Sequence, residues 1–172
     1  TYYCSTSKVV KNKAYGYDYS AKGLQQKQYL NHTWPYAAGS LCSTTEDLLL
    51  WMTAIHSGKL LSKVQYQQLI TPKTLNDGTP VRYAMGLSNY FNYGNQEISH
   101  GGGIPGFLSE TKYFPAEDLY LISLVNTTGP HGGSFFIDNI MWKLLEKQKY
   151  LAITLDFDPK EIEGIYSGQT RG

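Results

Sequence analysis

The sequence predicts a mixed α/β (α+β) fold, an antiparallel sheet flanked by helices, and three observations carry that prediction. Residues 106–114 and 119–126 read as the two arms of a hairpin closed by Pro115-Ala116-Glu117-Asp118. Apolar residues recur with helical spacing at Leu48, Leu49, Trp51, Met52 and Ile55, and again from Phe136 to Leu145. The composition fits a folded core: 172 residues, 41% hydrophobic and 17% charged, with a net charge of +1. That near-neutral balance argues against nucleic acid as a partner, because no basic excess exists to neutralise phosphates. No apolar run approaches the roughly 18–20 residues of a membrane-spanning helix.

Residues 1–39 are polar and rich in tyrosine, with no clean period. A structureless stretch of that length is uncommon inside a compact domain, so the segment is expected to be either a functional loop region or a segment laid over a missing half of the domain. Ser43-Thr44-Thr45-Glu46 has the form of a capping box and opens the first helix, which Gly58 ends. Ser62 with Gln65 opens a second, stopped before Pro72. Asn76-Asp77-Gly78 marks a turn. Residues 81–91 read as a strand, Asn92 to Asn95 as a turn, and Ile98 to Gly103 as a glycine-rich strand. Leu119 to Val125 is almost continuously apolar and is expected to be a buried strand. A closing helix is expected over 134–147, with Phe136, Ile137, Ile140, Met141, Leu144 and Leu145 facing inward. Residues 156–172 read as a linker into a further module, leaving 1–155 as the main unit.

The most informative stretch is His100-Gly101-Gly102-Gly103-Ile104-Pro105-Gly106-Phe107. Three glycines after a histidine leave backbone N–H groups uncovered, where a substrate or a developing oxyanion can be met. A sharp twist of the sheet would explain the same glycines. H-G-G-G is also an oxyanion motif of α/β-hydrolases, but that reading needs a downstream G-x-S-x-G serine followed by a histidine. Gly132-Gly133-Ser134-Phe135-Phe136 lacks the last glycine, and no histidine follows His131. That reading fails.

A second pattern extends much further. Ala37-Ala38-Gly39-Ser40-Leu41-Cys42-Ser43-Thr44-Thr45-Glu46-Asp47-Leu48, Tyr83-Ala84-Met85-Gly86-Leu87, His100 to Ser109, Tyr113-Phe114-Pro115 and Leu124-Val125-Asn126-Thr127 follow one another in order. Together they resemble the penicillin-recognising serine hydrolases of class C β-lactamase type, a family that includes D-Ala-D-Ala peptidases and esterases. The resemblance implies the C-terminal part of a β-lactamase-like sandwich, with the family's nucleophilic serine, lysine and Y-x-N tyrosine lying before Thr1. His100 would take the place of the K-T-G lysine. Gly103 would offer its N–H to an oxyanion, Gly101 and Gly102 would admit the substrate closely, and Asn126 would stand near a substrate carboxylate. Residues 162–168 resemble the opening of a small β domain often appended to the family.

The remaining motifs weigh toward coincidence or packing. Ser5-Thr6-Ser7-Lys8 spells S-x-x-K but is followed by Lys11, Asn12, Lys13 and Gly16 rather than a buried helix. Tyr90-Phe91-Asn92 and Tyr93-Gly94-Asn95 spell Y-x-N within a hairpin turn. His32 and His56 are expected to be packing or surface residues, His131 a neighbour of a helix cap, and Trp51 and Trp142 core residues. Cys4 and Cys42 either pair or stand as free thiols. No spacing of ligands suggests a metal, and no cofactor is implied.

Histidine in place of lysine alters the chemistry. An unperturbed imidazole has a pKa near ~6.5 and is mostly neutral at pH 7, which weakens the case for penicillins and favours esters, amides or peptides. The expected partners are a small-molecule or peptide substrate and the N-terminal part of the same domain. The resemblance implies a periplasmic or extracellular location. A rival expectation is a non-catalytic module that binds peptidoglycan or sugar, with the tyrosines between residues 15 and 36 as its aromatic face.

Overall fold

The computed structural model describes residues 1–4, 10–27 and 30–145. Ser5 and Lys8, the linker expected at 156–172 and the end of the closing helix lie outside the described residues.

The first forty residues hold more regular structure than their composition suggests. β1 (Tyr2–Tyr3), the hairpin of β2 (Tyr17–Ser20) and β3 (Gly23–Gln26), and the helical turn α1 (Tyr36–Gly39) precede β4 (Leu41–Cys42), the antiparallel partner of β1. Cys4 and Cys42 form a disulfide, with Cα atoms 5.5 Å apart, which resolves the open choice between paired and free thiols. Ser20 starts the β2–β3 turn by accepting from Lys22 N–H at 3.2 Å.

α2 (Thr45–His56) begins one residue later than the capping pattern suggested. Its N-cap is Thr44, whose hydroxyl accepts from Asp47 N–H at 3.2 Å, so Asp47 rather than Glu46 occupies the third helical position. α3 (Lys63–Ile70) begins as expected, with Ser62 N–H donating to Gln65 Oε1 at 3.0 Å and Gln65 N–H to Ser62 Oγ at 3.3 Å.

Beyond the turn at Gly78 the expected strand over 81–91 shortens to β5 (Ser88–Asn92). Gly86, at φ +84°, turns the chain, and Met85 N–H is drawn to Leu69 O at 3.2 Å. Tyr93 and Gly94, both at positive φ, make the two-residue turn into β6 (Asn95–Ile104). β7 (Phe107–Phe114) and β8 (Leu119–Val125) complete an antiparallel sheet in the order β5-β6-β7-β8. β8 is half-buried rather than buried, because it is the last strand of that sheet among the described residues and Leu124 is 41% exposed.

α4 (Gly133–Leu144) covers one face of the sheet through Met141 and Trp142, which pack on Phe114, Leu119 and Leu121. Its inward stripe is rotated from the expected one: Ile137, Met141 and Trp142 are buried, whereas Phe136, Ile140 and Leu144 are exposed. Asp138 lies on the same side as these buried residues and meets Lys112 Nζ at 3.0 Å. On the opposite face Met52 of α2 and Ile70 of α3 pack with Ile98 and Tyr113.

The β2–β3 hairpin lies against the end of this chain's own sheet, where the expectation was a segment laid over a missing half. Tyr17 N–H donates to Asn126 O and Thr128 N–H to Tyr17 O, both at 3.0 Å. Gly16 sits directly on Gly106, where an added Cβ on Gly106 would stand 3.0 Å from Gly16 Cα.

Candidate active site

Burial along β6 divides it into two halves. Glu97, Ile98 and Ser99 are buried, whereas His100, Gly101, Gly102 and Gly103 are all exposed. The division follows from the register. β5 pairs with β6 only as far as Ser88 opposite Ser99. From His100 to Ile104 the outer edge carries no strand partner among the described residues, and its inner edge pairs with β7.

Side chains alternate across a strand, so His100 and Gly102 share the face of Ile98, toward α2. Thr111 and Ser109 lie directly opposite them on β7. These residues form the floor of a cavity of about 300 Å³ whose wall is Leu48, Trp51 and Met52 of α2 together with Leu87. Small residues create the space. Where Ile98 and Tyr113 fill the sheet surface the core closes, and four residues further along each strand Gly102 and Ser109 leave it open.

The glycines serve their own sheet first. A Cβ on Gly102 would lie 2.6 Å from Ser109 Oγ, and one on Gly101 would lie 2.9 Å from Glu110 Oε2. The Ser109 hydroxyl therefore occupies the cleft surface beside Gly102, and the Glu110 carboxyl covers Gly101 on the α4 side. Gly103 has only Leu108 Cδ2 near its Cβ position, at 3.2 Å. His100 is held in two places: its carbonyl accepts from Thr111 Oγ1 at 3.0 Å, and its Nε2 lies 2.9 Å from Tyr83 Oη.

Asn126 is not brought to His100. It follows the end of β8, two strands from β6, and its Nδ2 donates to Tyr15 O at 2.9 Å. Its amide therefore fastens the N-terminal segment to the sheet. Tyr90 and Asn92 are likewise placed away from the cleft. Both donate to the Glu97 carboxylate at 2.9 Å on the α4 face. Tyr93 packs edge-on against Trp142, with ring centroids 4.4 Å apart. These Y-x-N triplets are coincidences of sequence.

His56 is a packing residue. Its ring stacks on Tyr113 with centroids 4.2 Å apart, its Nδ1 lies 2.8 Å from Tyr66 Oη, and burial pushes its pKa down to about 4. His32 is buried, and burial together with the charge of Lys13 lowers its pKa. His131 stacks on Phe135 just before the Gly132 N-cap, as a cap neighbour would. Trp142 is a core residue as expected, but Trp51 is 56% exposed at the cleft rim, contrary to its expected core position. Among the described residues no group of three or more His, Cys, Asp or Glu is placed to hold a metal ion, and no helix is long and apolar enough to cross a membrane.

Tyr83, Ser109, Thr111 and Trp51 are the cleft residues that sequence reasoning missed. Ser109 and Thr111 carry a recoverable signal, since they alternate on a strand that the hairpin places opposite the glycines. Tyr83 is legible only as the first residue of the segment Tyr83-Ala84-Met85-Gly86-Leu87, because it reaches His100 from an irregular loop rather than along a strand.

The sheet, its flanking helices and the open edge at His100 are those of a β-lactamase and penicillin-binding-protein fold. A penicillin-binding protein from Bacillus halodurans superposes with a TM-score of 0.64 over 83% of this chain and 44% of its own, at 17% identity. An octameric penicillin-binding protein homologue from Pyrococcus abyssi does so with a TM-score of 0.63 over 81% of this chain and 32% of its own, at 22% identity. At those identities the likeness concerns the fold. The beta-lactamase family model matches residues 1–141, and the chain belongs to that family. A D-aminopeptidase of Gluconobacter oxydans is 26% identical over 97 residues, 56% of this chain and 18% of its own length. The unguisins hydrolase ungD' of Aspergillus campestris is 24% identical over 153 residues, 85% of this chain and 28% of its own. The chain thus spans less than a third of the length of these two relatives.

Proposed function

We propose that this chain builds one wall of the acyl-transfer cleft of a serine hydrolase acting on an ester, amide or peptide, with the nucleophilic serine and its lysine and tyrosine partners supplied from outside the 172 residues. In that reaction the serine oxygen attacks the carbonyl carbon, the leaving group departs with a proton, and water releases the acyl group. His100 contacts the substrate where the family's K-T-G lysine would. The Gly103 N–H is one donor to the oxyanion, and Gly101 and Gly102 keep the edge low enough for the substrate to approach. The observation that carries this reading is the exposed stretch of β6 from His100 to Gly103 beside a cleft, whose outer edge carries no strand partner among the described residues. The names of the two relatives, an aminopeptidase and a hydrolase, support amide or peptide cleavage as the reaction class. The Cys4–Cys42 disulfide supports an oxidising, exported location.

A test compares the chain alone with the chain joined to its serine-bearing part. Fluorophosphonate should label only the joined form, and His100→Ala should lower its ester or amide hydrolysis about 10-fold, the scale of one substrate hydrogen bond. Labelling of the 172-residue chain alone, abolished by changing Ser5, would place the nucleophile here and overturn the proposal. β-Lactam hydrolysis far exceeding ester hydrolysis would overturn the role given to His100. One observation favours a second reading, a sugar-binding module without chemistry: Trp34, 79% exposed, and Tyr36 present aromatic faces to solvent. Peptidoglycan or oligosaccharide binding with no labelling of either form would establish it instead.

A further inference from the structure

An imidazole on an open strand edge has nothing in its own strand to set its ring orientation or its tautomer. Tyr83 lies within hydrogen-bond distance of His100, where it can supply both constraints. The phenol oxygen lies 2.9 Å from His100 Nε2, with the ring centroids 5.9 Å apart and the planes at 53°.

The loop that carries Tyr83 is fastened on three sides. Val81 N–H donates to Lys73 O at 3.3 Å, Asn89 N–H to Arg82 O at 2.8 Å, and Met85 N–H to Leu69 O at 3.2 Å. Tyr83 itself bridges Ser88, and the Arg82 guanidinium lies 5.1 Å above the Tyr90 ring. A phenol on a loop tied to α3 and β5 reaches the histidine without the entropy cost of a free side chain on a mobile segment.

The geometry points to Tyr83 as the positioning residue for His100: its O–H donates to Nε2 and holds the neutral imidazole as the Nδ1–H tautomer, which leaves Nδ1–H as the donor that the ring offers. An Nε2 that accepts a hydrogen bond carries no proton. A neutral donor matches the carbonyl oxygen of an ester or amide rather than a free carboxylate, which a cation would serve better. This inference rests on the proposed role of His100 in acyl transfer and narrows the substrate it fits.

The test is a long-range proton–nitrogen spectrum of the 172-residue chain with ¹⁵N-labelled histidine, in mildly alkaline buffer where imidazoles are neutral. His100 should show a protonated Nδ1 and a hydrogen-bonded, unprotonated Nε2. Tyr83→Phe should lose that pattern and give a mixture of tautomers, with circular dichroism unchanged because Tyr83 is 49% exposed. A protonated Nε2 in the unaltered chain overturns the proposal without any variant, as does an identical spectrum in Tyr83→Phe. In the joined, serine-bearing form, Tyr83→Phe should lower kcat toward a neutral ester about 3- to 10-fold, the worth of one hydrogen bond, with KM changed less. Full hydrolysis by His100→Ala, alongside the expected tautomer, would instead overturn the acyl-transfer reading of His100 and leave the Tyr83–His100 bond standing.

Discussion

On the α4 side of the sheet the covered surface contains charge, whereas on the α2 side it contains none until it opens into the cleft. Under α4, Glu97 is fully buried and Lys112 nearly so. Lys112 Nζ lies 3.1 Å from Glu97 Oε1 and 3.0 Å from Asp138 Oδ1, and Tyr90 and Asn92 complete the Glu97 shell. Under α2, Ile98, Tyr113, Met52 and Ile70 form an apolar cluster, and two residues along β6 the cleft begins at His100. The contrast shows how one sheet serves two ends. The Glu97–Lys112–Asp138 network ties strand to helix through a pairing that tolerates no slip, since a one-residue shift would turn Lys112 to the other face. The apolar face closes only where large residues meet, so replacing them with Gly102, Ser109 and Thr111 is enough to make a cavity.

The sharpest way to break that contrast is Lys112→Met. It leaves the Glu97 carboxylate buried without its cation and should cost about 3–5 kcal/mol in urea unfolding. His100→Ala, at an exposed position on the same sheet, should stay within about 0.5 kcal/mol. Equal losses from the two would show that the ion network does not secure the α4 face. The next test falls on α2, where neighbouring residues sit on different sides of the rim. Met52→Ala should cost about 2–5 kcal/mol as a buried truncation. Trp51→Ala should cost about 0.5 kcal/mol or less and show its effect in ligand affinity. Similar unfolding midpoints for both would mean that the cleft wall and the core are not separate.

Local chemistry made part of this architecture legible. The Ser62–Gln65 capping box, the turn at Tyr93-Gly94 and the hairpin closed by Pro115 to Asp118 each depend on residues within four positions of one another. The glycine-rich strand from His100 was visible for the same reason. The β2–β3 hairpin was not, because it joins the sheet through backbone bonds at Asn126 and Thr128 and needs no apolar stripe. The ion network was hidden too: Glu97, Lys112 and Asp138 come together only once the β6–β7 register and the α4 packing are in place. The inner face of α4 accordingly includes Asp138 beside Ile137, Met141 and Trp142. Tyr83 and His100 stand 17 positions apart, and the strand expected over 81–91 concealed the loop that joins them.

The smallest expected effect concerns two carboxylates on the charged face that titrate in opposite directions. Burial pushes the Glu110 carboxyl up, the Lys112 charge opposing and the Glu97 and Asp138 charges adding. Burial also opposes the charge on Glu97, but the Asn92 hydrogen bond, the Lys112 charge and the Tyr90 hydrogen bond outweigh it and hold that carboxyl below its usual range. An unfolded glutamate titrates near about 4.3. Glu110, with its folded value above that, penalises the fold as pH rises past about 4.3, and the penalty is complete above the folded value. Glu97, with its folded value below, contributes fully above about 4.3 and loses that contribution as pH falls through the folded value. Glu110→Gln removes only the penalty. It should therefore melt higher than the parent at neutral pH and lose that advantage below a pH of about 4. Glu97→Gln should melt lower at neutral pH, with a deficit that shrinks in acid. Thermal unfolding of both variants at the two pH values reads the difference directly. A Glu110→Gln offset that did not change with pH would mean that Glu110 titrates as a surface carboxylate, and that the charged face is confined to Glu97, Lys112 and Asp138.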